Sequence, residues 1–207
     1  MPTAGRPRVS GCEVTGNAAK TQRRAEFSAR RAAMSMYERE QAAADLSEWI
    51  YSAPFRLEYD VTVAAYIPIG TEPGSLSFLD ALSDRDVRVL LPVVPDGAPA
   101  PLDWARYSGE SSLETRRFGL LEPTGTLLGP DALDAVDVVF VPALGVDRRG
   151  TRLGRGAGYY DRSLTGVRAE FVAVVYDDEL VDELPREPTD VRVGWALTPG
   201  RGFVELE

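Results

Sequence analysis

The chain has 207 residues, of which 44% are hydrophobic, and carries a formal net charge of -9 at pH 7. This length supports one sizeable hydrophobic core, so a single domain is expected. The negative charge argues against a nucleic-acid or anionic-membrane partner, because either partner would require a basic face on the protein. Cys12 is the only cysteine. An intramolecular disulfide is therefore excluded, which fits a reducing cytoplasm.

Two features that the sequence lacks exclude further kinds of catalysis and of location. The chain has no histidine, which removes His-based acid–base catalysis, Ser-His-Asp triads and histidine-ligated zinc. No apolar run reaches the ~18 residues that span a bilayer, and the first residues lack the apolar core of a secretory signal. We therefore expect a cytoplasmic protein whose chemistry uses carboxylates, Arg, Lys, Tyr and backbone amides.

The first part of the chain predicts a leader and two helices. Residues 1–16 lack apolar periodicity and are expected to be a disordered leader, with residues 17–207 forming the single domain. Residues 17–34 favour a helix, and Ser35 followed three positions later by Glu38 has the form of a capping box that opens a second helix. The apolar face of this second helix, which is expected to pack on a sheet, consists of Ala42, Leu46, Trp49, Ile50 and Ala53.

Short β-rich runs bounded by Pro, Gly or Asp are the strand candidates. They are residues 61–68, 87–94, 136–142, 171–176 and 191–197. Near-continuous apolar runs are typical of strands covered on both faces, and helical stretches separate several of the candidates. The predicted fold class is therefore α/β with three layers, a mostly parallel sheet with helices on both faces. A Pro-rich stretch at 95–101 is predicted to be a surface loop between sheet elements.

The most informative segment is PALGVDRRGTRLGRGAGYYDRSL at residues 142–164, which follows a predicted strand and leads into a helix predicted to start near Tyr159. Its glycines let the backbone approach a ligand and present amides to an anion, beside the positive end of that helix. Its arginines supply cationic groups suited to phosphate. The glycines are Gly150, Gly154, Gly156 and Gly158, and the arginines are Arg148, Arg149, Arg152 and Arg155. Together they predict a polyphosphate cradle.

A glycine-rich turn with solvated arginines is the alternative interpretation of this segment. Two carboxylates favour the phosphate site, because Asp147 and Asp161 bracket the loop and acids beside phosphates commonly share Mg2+ with a nucleotide. A Walker A loop is absent from the sequence. A Rossmann dinucleotide fingerprint fits poorly, because these glycines lie late in the chain instead of directly after the first strand.

The same segment resembles the signature P-x-x-x-F-D-x-x-G-x-R-L-G-x-G-x-G-Y-Y-D of the 5-formyltetrahydrofolate cyclo-ligases, also called methenyltetrahydrofolate synthetases. The resemblance continues in KTQRR at 20–24, YIPIGTE at 66–72, FGLLEP at 118–123 and the tail around Asp190. It covers the chain from about residue 18 to its end. It implies an α/β fold of Rossmann-like layering, with ATP over the glycine-rich loop and a folate pterin in an adjacent pocket.

The resemblance also implies roles for individual residues. The implied ATP-binding residues are Lys20, Arg24, Arg152, Leu153, Gly154, Arg155, Gly156, Ala157, Gly158, Tyr159 and Tyr160. Of these, Lys20, Arg152 and Tyr159 would be catalytic. Asp161 and Asp190 would bind Mg2+. The folate site would be lined by Ile67, Glu72, Phe118 and Tyr159, with Glu72 accepting hydrogen bonds from the pterin.

The implied reaction is the ATP-dependent conversion of 5-formyltetrahydrofolate to 5,10-methenyltetrahydrofolate, with release of ADP and phosphate. The formyl oxygen would attack the γ-phosphate, and N10 would then attack the carbon of the resulting imidate phosphate, so no protein nucleophile is needed. Mg2+ is the implied cofactor and ATP a co-substrate. We expect a monomer or homodimer with small-molecule substrates and no nucleic-acid or membrane partner.

Several alternatives remain open at this point. Tyr159 and Phe118 fit core aromatics, Glu72 and Asp190 fit solvated acids or caps, and Lys20, the only lysine, fits a compositional bias towards arginine. The family pattern is not followed at four positions, which are Val146, Thr189, Gly194 and Pro199. The alternative functions are an ATP- or CoA-dependent transferase on the same fold and a catalytically inactive nucleotide-binding paralogue.

Overall fold

The structure is a computed structural model that describes residues 11–116 and 119–207. Within those ranges the helices α1 to α4 are Gly11–Ala33, Met36–Trp49, Leu76–Ser83 and Tyr159–Leu164. The strands β1 to β12 are Thr62–Ala64, Arg88–Val93, Asp103–Arg106, Leu113–Thr115, Leu121–Pro123, Val138–Pro142, Gly145–Asp147, Arg152–Leu153, Glu170–Val174, Leu180–Val181, Trp195–Thr198 and Gly202–Glu205. Short 3-10 helices lie at Ile50–Ser52, Glu110–Ser112, Pro130–Ala135 and Asp177–Glu179.

The central element is a seven-stranded sheet in the order β12-β11-β9-β6-β1-β2-β3. Its inner strands, β11, β9, β6, β1 and β2, run parallel, whereas β12 and β3 are added antiparallel at the two edges. Smaller sheets join β10-β7-β8 and β4-β5. The predicted mostly parallel α/β sheet is confirmed.

Side chains of the parallel strands alternate between two apolar cores. Val63 of β1 belongs to the core that contains Leu46 of α2 and Leu79 of α3. The next residue, Ala64, belongs to the core on the other side, together with Leu164 of α4. Because both faces of the sheet are covered, its central strand β6 is apolar along its whole length, as the continuous run in the sequence predicted.

The start of α2 follows the predicted capping box. The Ser35 hydroxyl accepts a hydrogen bond from the Glu38 amide at 3.2 Å, and the Glu38 carboxylate accepts one from the Ser35 amide at 2.7 Å. Leu46 and Ile50 of the predicted apolar face are fully buried. Local sequence thus positions this helix on the sheet.

Several boundaries differ from the sequence prediction, and the strand predicted at 61–68 already ends at Ala64. The first helix begins at Gly11, within the predicted leader, and residues 1–10 lie outside the described residues. The strand predicted at 191–197 begins only at Trp195, because the amide of Val193 donates to the carbonyl of Gly150 instead of to a neighbouring strand. The predicted loop at 95–101 does connect two sheet strands, β2 and β3.

Gly150 is expected to be essential for stability. It has a φ of 78°, and an added Cβ would collide with the Val193 carbonyl oxygen. Gly150→Ala is therefore expected to lower the free energy of unfolding by about 2–4 kcal/mol, measured by chemical denaturation. Gly166→Ala is a matched control, since Gly166 has a φ of 84° with nothing within 4 Å of its added Cβ, and should cost about 1–2 kcal/mol. Equal losses in both variants would rule out a steric role for the Val193 contact.

Candidate active site

The glycine-rich loop lies at the carboxyl ends of the parallel strands. Strands β2 and β3 lie on one side of β1, whereas β9, β11 and β12 lie beyond its other neighbour, β6. The site is therefore at the point where the strand order reverses, which is where open α/β sheets bind ligands. Residues that follow β1, β2 and β6 all contribute to its walls.

The backbone of the loop is held by a short hairpin. Strands β7 and β8 pair antiparallel, with Gly145 opposite Leu153, and Leu153 is buried with Phe27 of α1 and Leu184. The chain then passes through the glycines and enters α4 at Tyr159, as predicted. This hairpin fixes the loop between α1 and the sheet.

One side of the loop borders a cavity of about 250 Å³, here called the inner cavity. Most of the side chains that line it are apolar. It brings together predicted folate-site residues and predicted ATP-site residues. Those of the predicted site that line it are Ile67, Glu72, Arg152, Gly154, Arg155, Gly156, Ala157, Gly158, Tyr159, Tyr160 and Asp161. Phe118 lies outside the described residues.

Glu72 is the charged group that the folate prediction relies on most. It is only 8% exposed, so it is not a solvated loop acid. One carboxylate oxygen lies 2.8 Å from Nε of Arg155, and the other accepts a hydrogen bond from the Ile69 amide at 2.9 Å. The carboxylate is thus oriented and its charge is balanced at the wall of the inner cavity.

Two tyrosines that line the inner cavity, the buried Tyr66 and the partly buried Tyr160, have raised pKa values. Burial raises the pKa of Tyr66 well above its ordinary value, and its hydroxyl donates to the Pro73 carbonyl at 2.7 Å. Burial, together with the negative charge of Glu72, also raises the pKa of Tyr160, although Arg152 opposes this shift. Both phenols therefore remain protonated near neutral pH.

The opposite side of the loop borders a cleft of about 450 Å³, here called the outer cleft. The predicted site residues that line it are Lys20, Arg24, Arg152, Leu153, Gly154, Gly156, Gly158, Asp161 and Asp190. The inner cavity and the outer cleft share Arg152, Gly154, Gly156, Gly158 and Asp161. A single loop therefore forms a wall of both spaces.

Helix α1 contributes two cations to the outer cleft. Lys20 is 5% exposed, and its Nζ lies 2.7 Å from Asp190 and 3.0 Å from Glu187. Arg24 donates from Nε to the Gly154 carbonyl at 2.9 Å. Gly156 has a φ of 103°, and an added Cβ there would lie 3.4 Å from the Arg24 guanidinium. The lysine is therefore a buried cation in a partly buried ion-pair cluster, not a solvated surface charge.

Arg152 stands at the junction of the two spaces. Its Nη2 lies 2.6 Å from Oδ1 of Asp161, while its buried Nε has no hydrogen-bond partner among the described residues. Buried donors are usually satisfied, so an unpaired one beside two cavities is available for a ligand acceptor.

The predicted metal ligands, Asp161 and Asp190, both line the outer cleft. Each is already paired with a cation, Asp161 with Arg152 and Asp190 with Lys20. No group of three or more Cys, Asp or Glu side chains within residues 11–116 and 119–207 forms a ready metal cage. Nucleotide-bound Mg2+ typically uses one or two carboxylates plus phosphates and water. The donor set therefore fits a metal that arrives with a triphosphate.

Three residues of the glycine-rich segment have roles other than those predicted. Asp147 is buried and accepts hydrogen bonds from three backbone amides, those of Arg149, Thr151 and Leu184. It therefore organises the hairpin and is not available to a metal. Arg148 and Arg149 point to the surface, where they pair with acids at 3.2 Å, and neither lines the inner cavity or the outer cleft. Their prediction as phosphate ligands was wrong.

Two residues that line the inner cavity were missed by the sequence analysis. Arg31 lies in the last turn of α1, where a basic residue is expected simply to complement the helix dipole. Glu122 lies in the FGLLEP segment and accepts a hydrogen bond from the Val94 amide at 3.0 Å. The one sequence signal for Glu122 is an acid within an apolar run that resembles the family.

Comparisons of the sequence with known proteins show which family the chain belongs to. The model of the 5-formyltetrahydrofolate cyclo-ligase family matches residues 16–199. The chain belongs to this family. It is 50% identical over 150 residues to the 5-formyltetrahydrofolate cyclo-ligase of Mycolicibacterium smegmatis, covering 70% of this chain and 77% of that protein. The cyclo-ligase of Escherichia coli K12 is 29% identical over 143 residues, covering 68% and 79% respectively.

A solved structure supports the same assignment. The NMR structure of the Aquifex aeolicus 5,10-methenyltetrahydrofolate synthetase matches with a TM-score of 0.76 at 28% identity, covering 91% of this chain and 93% of that one. Membership in the cyclo-ligase family confirms the predicted family and the prediction of an enzyme. In the part of the chain that the structure describes, every helix is too short or too polar to cross a membrane.

The four departures from the cyclo-ligase family pattern lie in different surroundings. Val146 is fully buried in an apolar core, and the Pro199 carbonyl accepts a hydrogen bond from Trp49. Neither these two nor Gly194 line the inner cavity or the outer cleft, whereas Thr189 lines the outer cleft. Three of the four changes therefore line neither space, although Val146 lies directly opposite Arg152 in the β7–β8 pair.

Proposed function

We propose that this protein converts 5-formyltetrahydrofolate to 5,10-methenyltetrahydrofolate in an ATP-dependent reaction that releases ADP and phosphate. The observation that carries the proposal is that the inner cavity and the outer cleft share the wall formed by Arg152, Gly154, Gly156 and Gly158. A pterin ring in the apolar inner cavity and a triphosphate in the basic outer cleft would meet at this wall. Such proximity is what a phosphoryl transfer between two bound substrates requires.

The side chains around the outer cleft fit the phosphates of ATP. Lys20 and Arg24 of α1 and Arg152 of β8 supply three cations around a glycine-rich backbone. Cations and backbone amides that are already in position stabilise the charge that develops on a transferring phosphoryl group. In this assignment the outer cleft binds the triphosphate, and α1 forms one wall of the ATP site.

The chemistry proceeds without a protein nucleophile. The formyl oxygen attacks the γ-phosphorus, the bond to the ADP oxygen breaks, and an imidate phosphate forms. The lone pair of N10 then attacks the formyl carbon, N10 loses its proton to solvent, and inorganic phosphate leaves with the former formyl oxygen. The protein orients the two substrates and excludes water, and the unpaired Nε of Arg152 donates to an oxygen of the transferring group.

Mg2+ is part of the proposal. Asp161 and Asp190 would hold it together with the triphosphate, after exchange of their present partners Arg152 and Lys20. When bound, the ion offsets phosphate charge and orients the γ-phosphate for in-line attack. That exchange leaves the Lys20 ammonium available to a phosphate oxygen.

The direct test is to incubate the purified protein with Mg-ATP and 5-formyltetrahydrofolate. The methenyl product should appear by its absorbance, with ADP and phosphate formed in equal amounts and no product when ATP is omitted. ATP consumption that requires a different acceptor would favour a transferase. Binding of both ligands without turnover would favour an inactive nucleotide-binding paralogue.

Glu72→Gln is expected to weaken folate binding much more than ATP binding. The buried carboxylate would lose charge-assisted hydrogen bonds to the pterin N–H groups, which corresponds to a rise of about 10- to 100-fold in the KM for 5-formyltetrahydrofolate. The KM for ATP, measured on the same variant, is the internal control and should change less than about threefold. Equal weakening of both ligands would contradict a specific role of Glu72 in the folate site.

Two further expectations remain predictions from the sequence. The chain is expected to act in the cytoplasm, which fits its single cysteine. It is expected to be a monomer or a homodimer.

A further inference from the structure

The guanidinium of Arg31 has one nitrogen that lacks a hydrogen-bond partner among the described residues. The Arg31 side chain is 1% exposed, and Arg31 is among the residues that line the inner cavity. Nε lies 2.6 Å from one carboxylate oxygen of Glu179, and Nη2 lies 2.8 Å from the other and also donates to the Ala143 carbonyl. The remaining nitrogen, Nη1, is buried and has no hydrogen-bond partner among the described residues.

The structural role of Arg31 does not require Nη1. The contacts of Nε and Nη2 already connect α1 to Glu179 and to the segment that follows β6. Burial alone would lower the pKa of Arg31, but its hydrogen bonds and ion pair with Glu179 outweigh this and raise the pKa above its ordinary value. The side chain is therefore a cation whose Nη1 has no hydrogen-bond acceptor. Buried N–H groups normally have one.

The position of Arg31 limits what that acceptor is. Arg31 lines the inner cavity but not the outer cleft, whereas Arg152 lines both. A ligand atom that reaches Arg31 therefore lies in the inner cavity. In the proposed function the formyl oxygen meets the γ-phosphate at Arg152, so Arg31 pairs with another acceptor of the ring system.

The chemistry of the pterin ring supplies a suitable acceptor. The ring carries a carbonyl oxygen at position 4 beside N–H donors at N3 and at the 2-amino group. Carboxylates of the inner cavity, such as the buried Glu72, match those donors, and a guanidinium N–H matches the carbonyl. Arg31 thus complements an acceptor group at that end of the ring, one that a carboxylate would repel.

We propose that Nη1 of Arg31 donates a hydrogen bond to the 4-oxo group of the pterin and makes the site select a 4-oxo ring over a 4-amino ring. This inference rests on the proposed function, because it assumes that the inner cavity binds the pterin. It adds a specificity-determining residue, Arg31, which recognises the pterin ring and not the reacting formyl group.

The test compares the dissociation constants of 5-formyltetrahydrofolate and its 4-amino-4-deoxy analogue by calorimetry. The wild-type protein should bind the 4-oxo compound more tightly, because a 4-amino group presents a donor to a donor. In Arg31→Lys and Arg31→Met the dissociation constant of the 4-oxo compound should rise about 10- to 100-fold, and that of the analogue should change little. The preference between the two ligands is the decisive quantity, since a purely structural role would weaken both equally.

Glu179→Gln is the matched control. It perturbs the same buried ion pair but retains Nη1 of Arg31, so it should lower the melting temperature and keep the wild-type preference. If the Arg31 single variants do not fold, the double variant Arg31→Met with Glu179→Leu removes both buried charges and supports the same measurement.

Two outcomes would overturn the inference. One is equal binding of the two ligands by the wild-type protein, and the other is an unchanged preference in the folded Arg31 variants. A wild-type protein that fails to bind or convert 5-formyltetrahydrofolate at all would instead count against the proposed function. The two failures are therefore distinguishable.

Discussion

Asp161→Asn is expected to lower kcat by about 100- to 1000-fold while the protein remains folded. In the proposed function this carboxylate holds Mg2+ beside the triphosphate, and an amide cannot offset the charge of the ion. The structure adds a second reason, because Oδ1 of Asp161 lies 2.6 Å from Nη2 of Arg152. Loss of the negative charge would weaken the contact with an arginine that borders both the inner cavity and the outer cleft.

The dependence of activity on Mg2+ concentration separates these two reasons. If Asp161 is a metal ligand, the variant should need more Mg2+ for half-maximal activity than the wild-type protein. Asp182→Asn is a matched control, since Asp182 also pairs with an arginine, Arg148 at 3.2 Å, but is exposed and outside both spaces. It should retain wild-type turnover. Near-normal activity of Asp161→Asn with an unchanged Mg2+ requirement would remove Asp161 from the metal site.

Lys20→Arg is expected to lower kcat by about 10- to 100-fold although it conserves charge. Lys20 is buried, and its compact ammonium lies 2.7 Å from Asp190 and 3.0 Å from Glu187. A guanidinium is larger and prefers two parallel hydrogen bonds, so it would stay with the carboxylates instead of following the γ-phosphate. Lys20→Ala should also raise the KM for ATP, because it leaves the two acids unpaired at the phosphate site.

Arg23→Lys is the control for a conservative exchange on the same helix. Arg23 lies three residues further along α1, is partly exposed, and pairs with Glu26 at 3.1 Å. Its exchange should leave kcat and the KM for ATP at wild-type values. Wild-type turnover by Lys20→Arg would instead make Lys20 a structural ion-pair residue, and the assignment of α1 to the ATP site would lose its main support.

Local signals determined the sheet core and the starts of α2 and α4. The apolar run at 136–142 became β6 in the centre of the sheet, and the capping box at Ser35 and Glu38 opened α2. The start of α4 at Tyr159 was also readable, since it directly follows the glycines. These features depend on periodicity, turn chemistry and hydrogen bonds between residues close in sequence. The family was equally readable, because its signature is a continuous segment.

Only the tertiary structure decided which polar groups are available to a ligand. Lys20 meets Asp190 across 170 residues, and Arg31 meets Glu179 across 148. Asp147 looked like a metal ligand in the sequence, yet the folded hairpin directs three backbone amides to its carboxylate. The sequence specifies the type of each side chain. Its hydrogen-bond and ion-pair partners depend on long-range packing, and so do the donors and charges that stay unpaired. That is why the residues of the glycine-rich loop could be named in advance, whereas the unpaired nitrogens of Arg31 and Arg152 could not.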